Sequence, residues 1–414
     1  MGVCKVDTEP HFTRFTSVDL NRVIEIVDDY EFWHTKNLET ALETVLHQEI
    51  HMDETSPLMR ITCFWHQERT HQFFLVINFN HVVSDGLGTK AVVEDLLTMS
   101  NSLTEVEDLG QLDNIISLVD EGTFKMTGTL DNHNPSKMTI MEKLPVIVHH
   151  HYLPSIIKRQ LNTFWAGSQR QEWDRCNSRI RLLTVPMDSF MSFVDNCWKN
   201  KVTPHSGIYT IILKCLSEVF GNERALSLRS STIVNLRKPC KLADSDPGLY
   251  LSTINRDTVV PPKALEEPRN FWDETSKYKN HLRNMFTNSV RYSNMMEYIT
   301  NDFPNRALEY WSKNISDYPM GRSSSFLLSD MGLYKISQEG EWTCKALMAS
   351  QTAIVTGGTL MFSLVGSDTH ESFIGTMSYQ RGAITEAEGE HLVQAFIKNI
   401  HKYSTTPSNL ISKL

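Results

Sequence analysis

An almost unbroken apolar run, Phe73 to Phe79, ends in Asn80-His81-Val82-Val83-Ser84-Asp85-Gly86. A helical stripe of Val92, Val93, Leu96 and Leu97 then follows. A run of that length bounded by turn residues predicts a buried strand, and the 3.6-residue spacing predicts a helix behind it. A second β-rich run, Arg60 to Trp65, lies across the polar segment His66 to Gln72, so the two are expected to pair antiparallel. Upstream, Leu38, Leu42, Val45, Leu46 and Ile50 recur at helical spacing after Asn37, a suitable N-cap. Residues 101–137 are polar and acidic with little periodicity, and are expected to be mostly loop.

The pattern restarts around Trp165-Ala166-Gly167, which sets the expected division: an N-terminal lobe over 1–165 and a C-terminal lobe over 166–414. In the second half, Thr203-Pro204 makes an N-cap and N1 pair. The helix it opens carries Ile208, Ile211, Ile212, Cys215, Leu216 and Val219. Ser231 to Leu236, Gly358 to Val365 and Phe373 to Ser378 read as strands. Thr385 and Glu388 form a capping box before a helix with Leu392, Val393, Phe396, Ile397 and Ile400. No repeat occurs at a fixed period. Strands and helices mix in both halves, so the class is α/β with mixed sheets.

Composition narrows the function classes. Over 414 residues the chain is 40% hydrophobic and 21% charged with a net charge of −9, as in a globular protein and unlike a disordered one. The basic residues are scattered, which argues against nucleic acid as the main partner. Seven cysteines (4, 63, 176, 197, 215, 240 and 344) form no C-x-x-C, so no zinc ribbon, metal site or disulfide framework is expected and a reducing intracellular compartment fits. No apolar run reaches the length of a membrane span. Neither G-x-G-x-x-G nor G-x-x-x-x-G-K-[ST] occurs, against standard dinucleotide and P-loop sites, and no permanently bound cofactor is expected.

Chemistry concentrates at His81. By composition about 0.04 chance occurrences of H-x-x-x-D-G are expected, and this one sits where a strand hands over to a helix. His81 is the side chain here that can take a proton near neutral pH. Asp85 stands at the helix start, where a carboxylate is favoured by the dipole and can cap; it would lock the loop without being a base. Gly86 would let the backbone turn sharply. The bland alternative is a loop histidine beside an ordinary capping aspartate.

The motif resembles that of acetyl-CoA-dependent acyltransferases sharing the chloramphenicol acetyltransferase and condensation-domain fold, and within them the fungal alcohol O-acetyltransferases. Pro57-Leu58-Met59-Arg60, Val202-Thr203-Pro204 and Val234-Asn235-Leu236-Arg237 agree in order, as does Ser323 to Gly332, similar to the family's "SNLG" strand end. The likeness runs from about Pro10 to about Ile400. It implies two chloramphenicol-acetyltransferase-like lobes with a tunnel between them and acetyl-CoA as co-substrate. It also implies ester formation with His81 as general base, supported by Asp85 and Gly86. Ser325, Ser329, Asp330, Asn235 and Arg237 become candidates for the tunnel, and Arg237-Lys238-Pro239-Cys240-Lys241 for CoA phosphates. Asp330 replaces the family's usual Asn. The family's first helix and strand, ahead of Pro10-His11-Phe12, are expected to be missing, and with them the arginine that partners the motif Asp in some relatives. Arg60 and Arg237 are candidate substitutes. An amine, sterol or lipid-like acceptor is the alternative substrate class, and a non-catalytic remnant the alternative of another kind.

Three features lie outside the motif. His149-His150-His151 cannot all face one ion on a regular element and reads as surface. Leu144 to Trp165, with Ile156, Ile157, Leu161 and Phe164, could form an amphipathic helix touching lipid, although packing on its own domain is the simpler expectation. The chain stops at Ser412-Lys413-Leu414, a peroxisomal address in form. The expected setting is therefore intracellular: cytoplasmic, peripheral to the ER or lipid droplets, or peroxisomal. The expected state is a monomer.

Overall fold

In a computed structural model, the chain is described over residues 1–6, 9–28, 37–69, 71–102, 114–117, 127–134, 136–168, 177–293, 305–335, 339–367 and 370–405. It forms two compact units. The first comprises Met1–His133, Cys240–Tyr250 and Gln338–Thr343, and the second Asn134–Pro239, Leu251–Ser337 and Cys344–Leu414. Both are discontinuous in sequence, whereas the sequence reading draws a single cut at 165/166. Two short excursions, 240–250 and 338–343, return to the first unit from deep within the second half.

In the first unit a three-stranded sheet runs β4 (Ile24–Asp28), β5 (Met59–Trp65), β6 (Phe74–Phe79). The expected antiparallel pair is β5 and β6, in register from Met59↔Phe79 to Phe64↔Phe74. Strand β4 adds in parallel on the other side of β5. The Leu38–His47 helix begins where Asn37 accepts from the Thr40 amide, and its Ala41 and Val45 pack with Phe64. Two further ribbons, β1 (Gly2–Val6) with β2 (Glu9–Thr13) and β3 (Ser17–Asp19) with β7 (Ile115–Ser117), belong to the same unit. Strand β7 lies inside the stretch expected to be loop, as does a short helix at Leu130–His133. Much of that stretch, like the Ser412-Lys413-Leu414 tail, lies outside the described residues.

The second unit is built on a six-stranded mixed sheet. Its order is β10 (Leu251–Val260), β9 (Leu226–Asn235), β11 (Ser324–Tyr334), β12 (Gly358–Ser367), β13 (Ser372–Gln380), β8 (Ser178–Pro186). Strands β9, β11 and β12 are mutually parallel and the outer pairings are antiparallel. One face is apolar at every second position: Leu226 and Leu228, Phe326 and Leu328, Leu360, Phe362 and Leu364. The helices Met187–Lys199, Pro204–Phe220, Pro268–Tyr292 and Glu386–Thr405 pack there, joining Phe193, Ile212, Phe271 and Phe396 to one core. The 344–357 segment reaches the opposite face, where Gln351 Nε2 donates to Ser363 Oγ and Thr376 Oγ1 donates to the Ala349 carbonyl. That double covering explains why all ten residues of β12 are buried.

Two helix starts follow their sequence signals closely. Thr203 Oγ1 accepts from the Ser206 amide with Pro204 at the first turn, and Thr385 and Glu388 exchange both capping-box bonds. Strand β9 is longer than expected, starting at Leu226 and not at Ser231. Its serines at 227, 230 and 231 disguise an inward series that is buried at Leu226, Leu228 and Ser230.

Candidate functional site

The loop after β6 is organised by backbone bonds. The Asn80 amide donates to the Leu58 carbonyl and the Val83 amide to the Asn80 carbonyl, folding 80–83 into a turn. Asp85 follows, buried, at the start of the Gly86–Ser102 helix. Its Oδ1 accepts from the Gly88 amide at 3.1 Å, the N-cap bond the sequence predicts. Its Oδ2 accepts from the Tyr250 amide at 3.1 Å, and its own amide donates to the Gly248 carbonyl at 3.1 Å. The carboxylate therefore holds both its own helix and a strand of chain 165 residues away. Gly248 suits this approach: its φ is +138°, and a Cβ there would sit 2.7 Å from the Tyr250 ring. Tyr250 is anchored in turn by its hydroxyl, which donates to the Gly128 carbonyl at 2.7 Å.

His81 sits exposed at the head of this turn, with Nδ1 2.9 Å from the Ser84 carbonyl oxygen. A carbonyl can only accept, so Nδ1 carries the hydrogen of that bond. In the neutral ring the lone pair then belongs to Nε2. This is the arrangement a general base requires: a ring fixed in orientation and tautomer, with the basic nitrogen on the outer side.

Gly86 plays a different part from the one expected. It is the first helical residue and is not among the positive-φ glycines; the reversal is made by 80–83. Of the two candidate partners for Asp85, Arg60 lies on β5 opposite Asn78. Arg237 belongs to the second unit, where it is buried and its amide donates to Asn235 Oδ1 at 2.9 Å. Burial of the Arg237 side chain speaks for a structural role over a phosphate contact at a solvated surface. The basic cluster after it is split, Lys238 falling in the second unit and Lys241 in the first.

The remaining candidates lie on β11, and strand alternation separates them. Ser325 is fully buried; its hydroxyl donates to the Trp165 carbonyl at 2.5 Å and accepts from the Arg229 amide at 3.1 Å. With its hydrogen committed, Ser325 is a structural hydroxyl and not an oxyanion donor. Ser329 is half-buried, in register with Ser363 of β12. Asp330 follows the Phe326 and Leu328 parity, on the side where the helices pack. There its Oδ2 lies 2.8 Å from His205 Nδ1, while Oδ1 accepts from the Gly332 amide at 2.9 Å.

His205 is the residue sequence reasoning missed. It follows Pro204 in the first turn of its helix, in a stretch read only for its capping pattern. Its Nε2 lies 3.4 Å from the Tyr278 hydroxyl, which also meets Thr232 Oγ1 at 2.5 Å. Burial pushes the Tyr278 hydroxyl well above the ordinary phenol range, and Tyr209, stacked on it, is raised for the same main reason. The Arg256 guanidinium lies over both rings and pairs with Glu274 at 2.7 Å. The only sequence signal for this cluster is Asp330, at the position where the acyltransferases this motif resembles usually carry Asn.

No protein-family model matches the chain, and no curated protein matches it in sequence. Solved structures do. The epimerization domain from the third module of tyrocidine synthetase B is similar over 97% of this chain and 84% of its own, with a TM-score of 0.55 at 12% identity. SgcC5 from Streptomyces globisporus is similar over 98% and 85%, with a TM-score of 0.57 at 12% identity. The condensation domain of the Monacolin K polyketide synthase MokA is similar over 93% and 79%, with a TM-score of 0.54 at 10% identity. The chain therefore has the mixed α/β, condensation-domain-like fold, as the motif resemblance implies. Those names span epimerization and condensation, so the fold by itself does not choose a reaction.

Proposed function

We propose that the chain is an acyltransferase that moves an acetyl group from acetyl-CoA to an alcohol, with His81 as general base. The observation that carries this reading is the 2.9 Å bond from His81 Nδ1 to the Ser84 carbonyl, which leaves Nε2 as the basic atom of an exposed, oriented ring. In the proposed step the acceptor hydroxyl gives its proton to His81 Nε2 as its oxygen bonds to the thioester carbon. The tetrahedral oxyanion then collapses, the C–S bond breaks, and the departing thiolate takes the proton back from Nε2. General-base assistance of this kind is worth about 10²–10⁴-fold. Asp85 acts at one remove. By collecting the Gly88 and Tyr250 amides it fixes the loop whose carbonyl holds the ring. No acyl-enzyme is needed, in keeping with a sequence that lacks a G-x-S-x-G elbow. Ser329 and Asp330 stay as candidates for substrate contacts. An amine or sterol acceptor would use the same base.

The test is thiol release from acetyl-CoA by purified protein offered short alcohols, a sterol and an amine, with His81→Ala alongside. Acceptor-dependent release that falls by at least about 10²-fold in the variant is expected, and the productive acceptor names the class. A folded wild-type protein that releases no thiol with any of them would overturn the proposal for that panel.

A further inference from the structure

The segment from Lys137 to Leu161, in the second unit, turns its apolar side outward. The Ile140–Ile147 helix starts at a complete capping box between Thr139 and Glu142, so its register is fixed. Ile140, Leu144 and Val148 follow one another at i, i+4 and i+8 along one face, joined by Met141, and all four are exposed, Ile140 at 84% and Met141 at 77%. Pro145 has no N–H to return to the Met141 carbonyl, and the chain leaves α-geometry through a wider turn at Val148–Tyr152. Tyr152 is 75% exposed. The Ser155–Leu161 helix then presents Ile156 at 69%, with Ile157 and Leu161 also exposed. An ordinary surface helix would bury this side. Eight outward apolar residues in 22 exceed the scattered exposure expected of a globular surface.

This helix pair is not loosely attached. Lys158 is buried and meets Asp317 at 2.8 Å, Asn162 Nδ2 donates to the Asp317 carbonyl, and Arg159 Nε donates to the Ser316 carbonyl. The Asn305–Asp317 helix so engaged exposes Leu308 and Trp311 itself. Lys158, Arg159 and Asn162 thus hold the segment to the protein, and its apolar side is held outward.

Charge decides between occupants. The whole chain carries −9, yet 137–161 holds four basic residues and one acidic one. The acid, Glu142, is bound to Arg291 at 2.8 Å and to its own cap. Lys137 and Arg159 are exposed and Lys143 half-buried beside the apolar face. Burial and then the Lys158 charge hold the His149 pKa below its ordinary value, so it is not counted in the basic fringe. No described helix is long and apolar enough to cross a membrane, so an apolar face of this kind would have to lie on a surface. Short helices with an apolar face, an interfacial tyrosine and a basic fringe are what an anionic bilayer selects. In an isologous dimer this basic-fringed patch would face its own copy, setting like charge against like. We infer that the Ile140–Leu161 face docks on an anionic lipid bilayer, peripherally, whatever reaction the chain catalyses.

The experiment is co-sedimentation of the full chain with phosphatidylcholine vesicles with and without phosphatidylserine. The wild type should pellet with the anionic vesicles, and Ile140→Asp/Ile156→Asp should lower the partition coefficient by at least about 10-fold. Lys137→Glu/Lys143→Glu, which leaves every apolar residue and every anchoring bond in place, should lower it by about 5-fold per charge and flatten its salt dependence. Circular dichroism melts of all variants should match the wild type, because none of the altered side chains is among those that hold the segment to the protein. Three results would overturn the inference. The first is wild-type protein left in the supernatant with both vesicle types, and the second is an apolar variant that pellets unchanged. The third is a solution dimer, seen by sedimentation velocity, that the same apolar substitutions dissociate.

Discussion

Two histidines of this chain sit beside the first turn of a long helix, and they are held in opposite ways. His81 gives its Nδ1 hydrogen to a backbone carbonyl, that of Ser84, three residues on. His205 turns the same nitrogen to a carboxylate, Asp330, 125 residues away. A carbonyl orients a ring and fixes its tautomer without adding charge, and it cannot be lost by side-chain substitution. A carboxylate forms an ion pair only when the ring is protonated, and it ties together two elements distant in sequence, here β11 and the Pro204–Phe220 helix. The first arrangement suits a ring that must take up and give back a proton. A carboxylate can orient a base as well, but at His205 the far nitrogen already faces the Tyr278 hydroxyl, so this ring joins structure.

The aspartates differ just as much, and the largest effect is expected there. Asp85 is buried and accepts two backbone amides that come from separate segments. Asp85→Ala would leave the Gly88 and Tyr250 N–H groups facing a cavity, at about 1–3 kcal/mol for each unsatisfied donor. A loss of about 2–5 kcal/mol in denaturant unfolding is expected, with thiol release falling as the His81 loop loosens. Asp330→Ala should cost less, about 1–2 kcal/mol, because His205 keeps about a quarter of its side-chain surface in water and Gly332 is exposed. An Asp330→Ala penalty equal to that of Asp85→Ala would break the contrast and make the His205 cluster the tighter of the two.

How much of this could be read from the residues alone follows from what each feature depends on. The β5–β6 pair, the Asn37, Thr203 and Thr385 caps and the Asp85 cap are local, each set within a few positions, and the pattern predicts them correctly. The motif placed His81 at a strand-to-helix handover for the same reason. What escaped depends on distance. Nothing in Gly248-Leu249-Tyr250 announces that its backbone closes on Asp85, because a backbone amide carries no sequence signature. Nor does His205, one of 16 histidines, stand out until β11 brings Asp330 beside it. Alternation could have warned that Ser325 and Asp330 lie on opposite faces of one strand, an odd spacing of five. Their shared place in the 323–332 motif hides it. Only part of the outward face, Ile156, Ile157 and Leu161 within the 144–165 stretch, is visible as periodicity, which gives an apolar side without saying which way it points; Phe164 of the same stretch is buried.

The smallest expected effect is also the cleanest discriminator, because it separates a bond to backbone from a bond to side chain. Ser84 is buried and its hydroxyl donates to the Asp85 carbonyl at 3.1 Å, an acceptor that also receives the Thr89 amide and hydroxyl. Ser84→Ala therefore strands no acceptor and should cost under about 1 kcal/mol. The carbonyl that holds His81 is backbone and survives the change, so the ring ¹⁵N shifts of His81 should keep the Nδ1–H pattern. Asp330→Asn, equally conservative in shape, replaces the carboxylate that faces His205 and should move that ring's ¹⁵N signals. If Ser84→Ala instead turned His81 to the Nε2–H form, the ring would depend on loop packing more than on the carbonyl bond. The basic nitrogen would then face inward, and the general-base assignment would lose its geometric support.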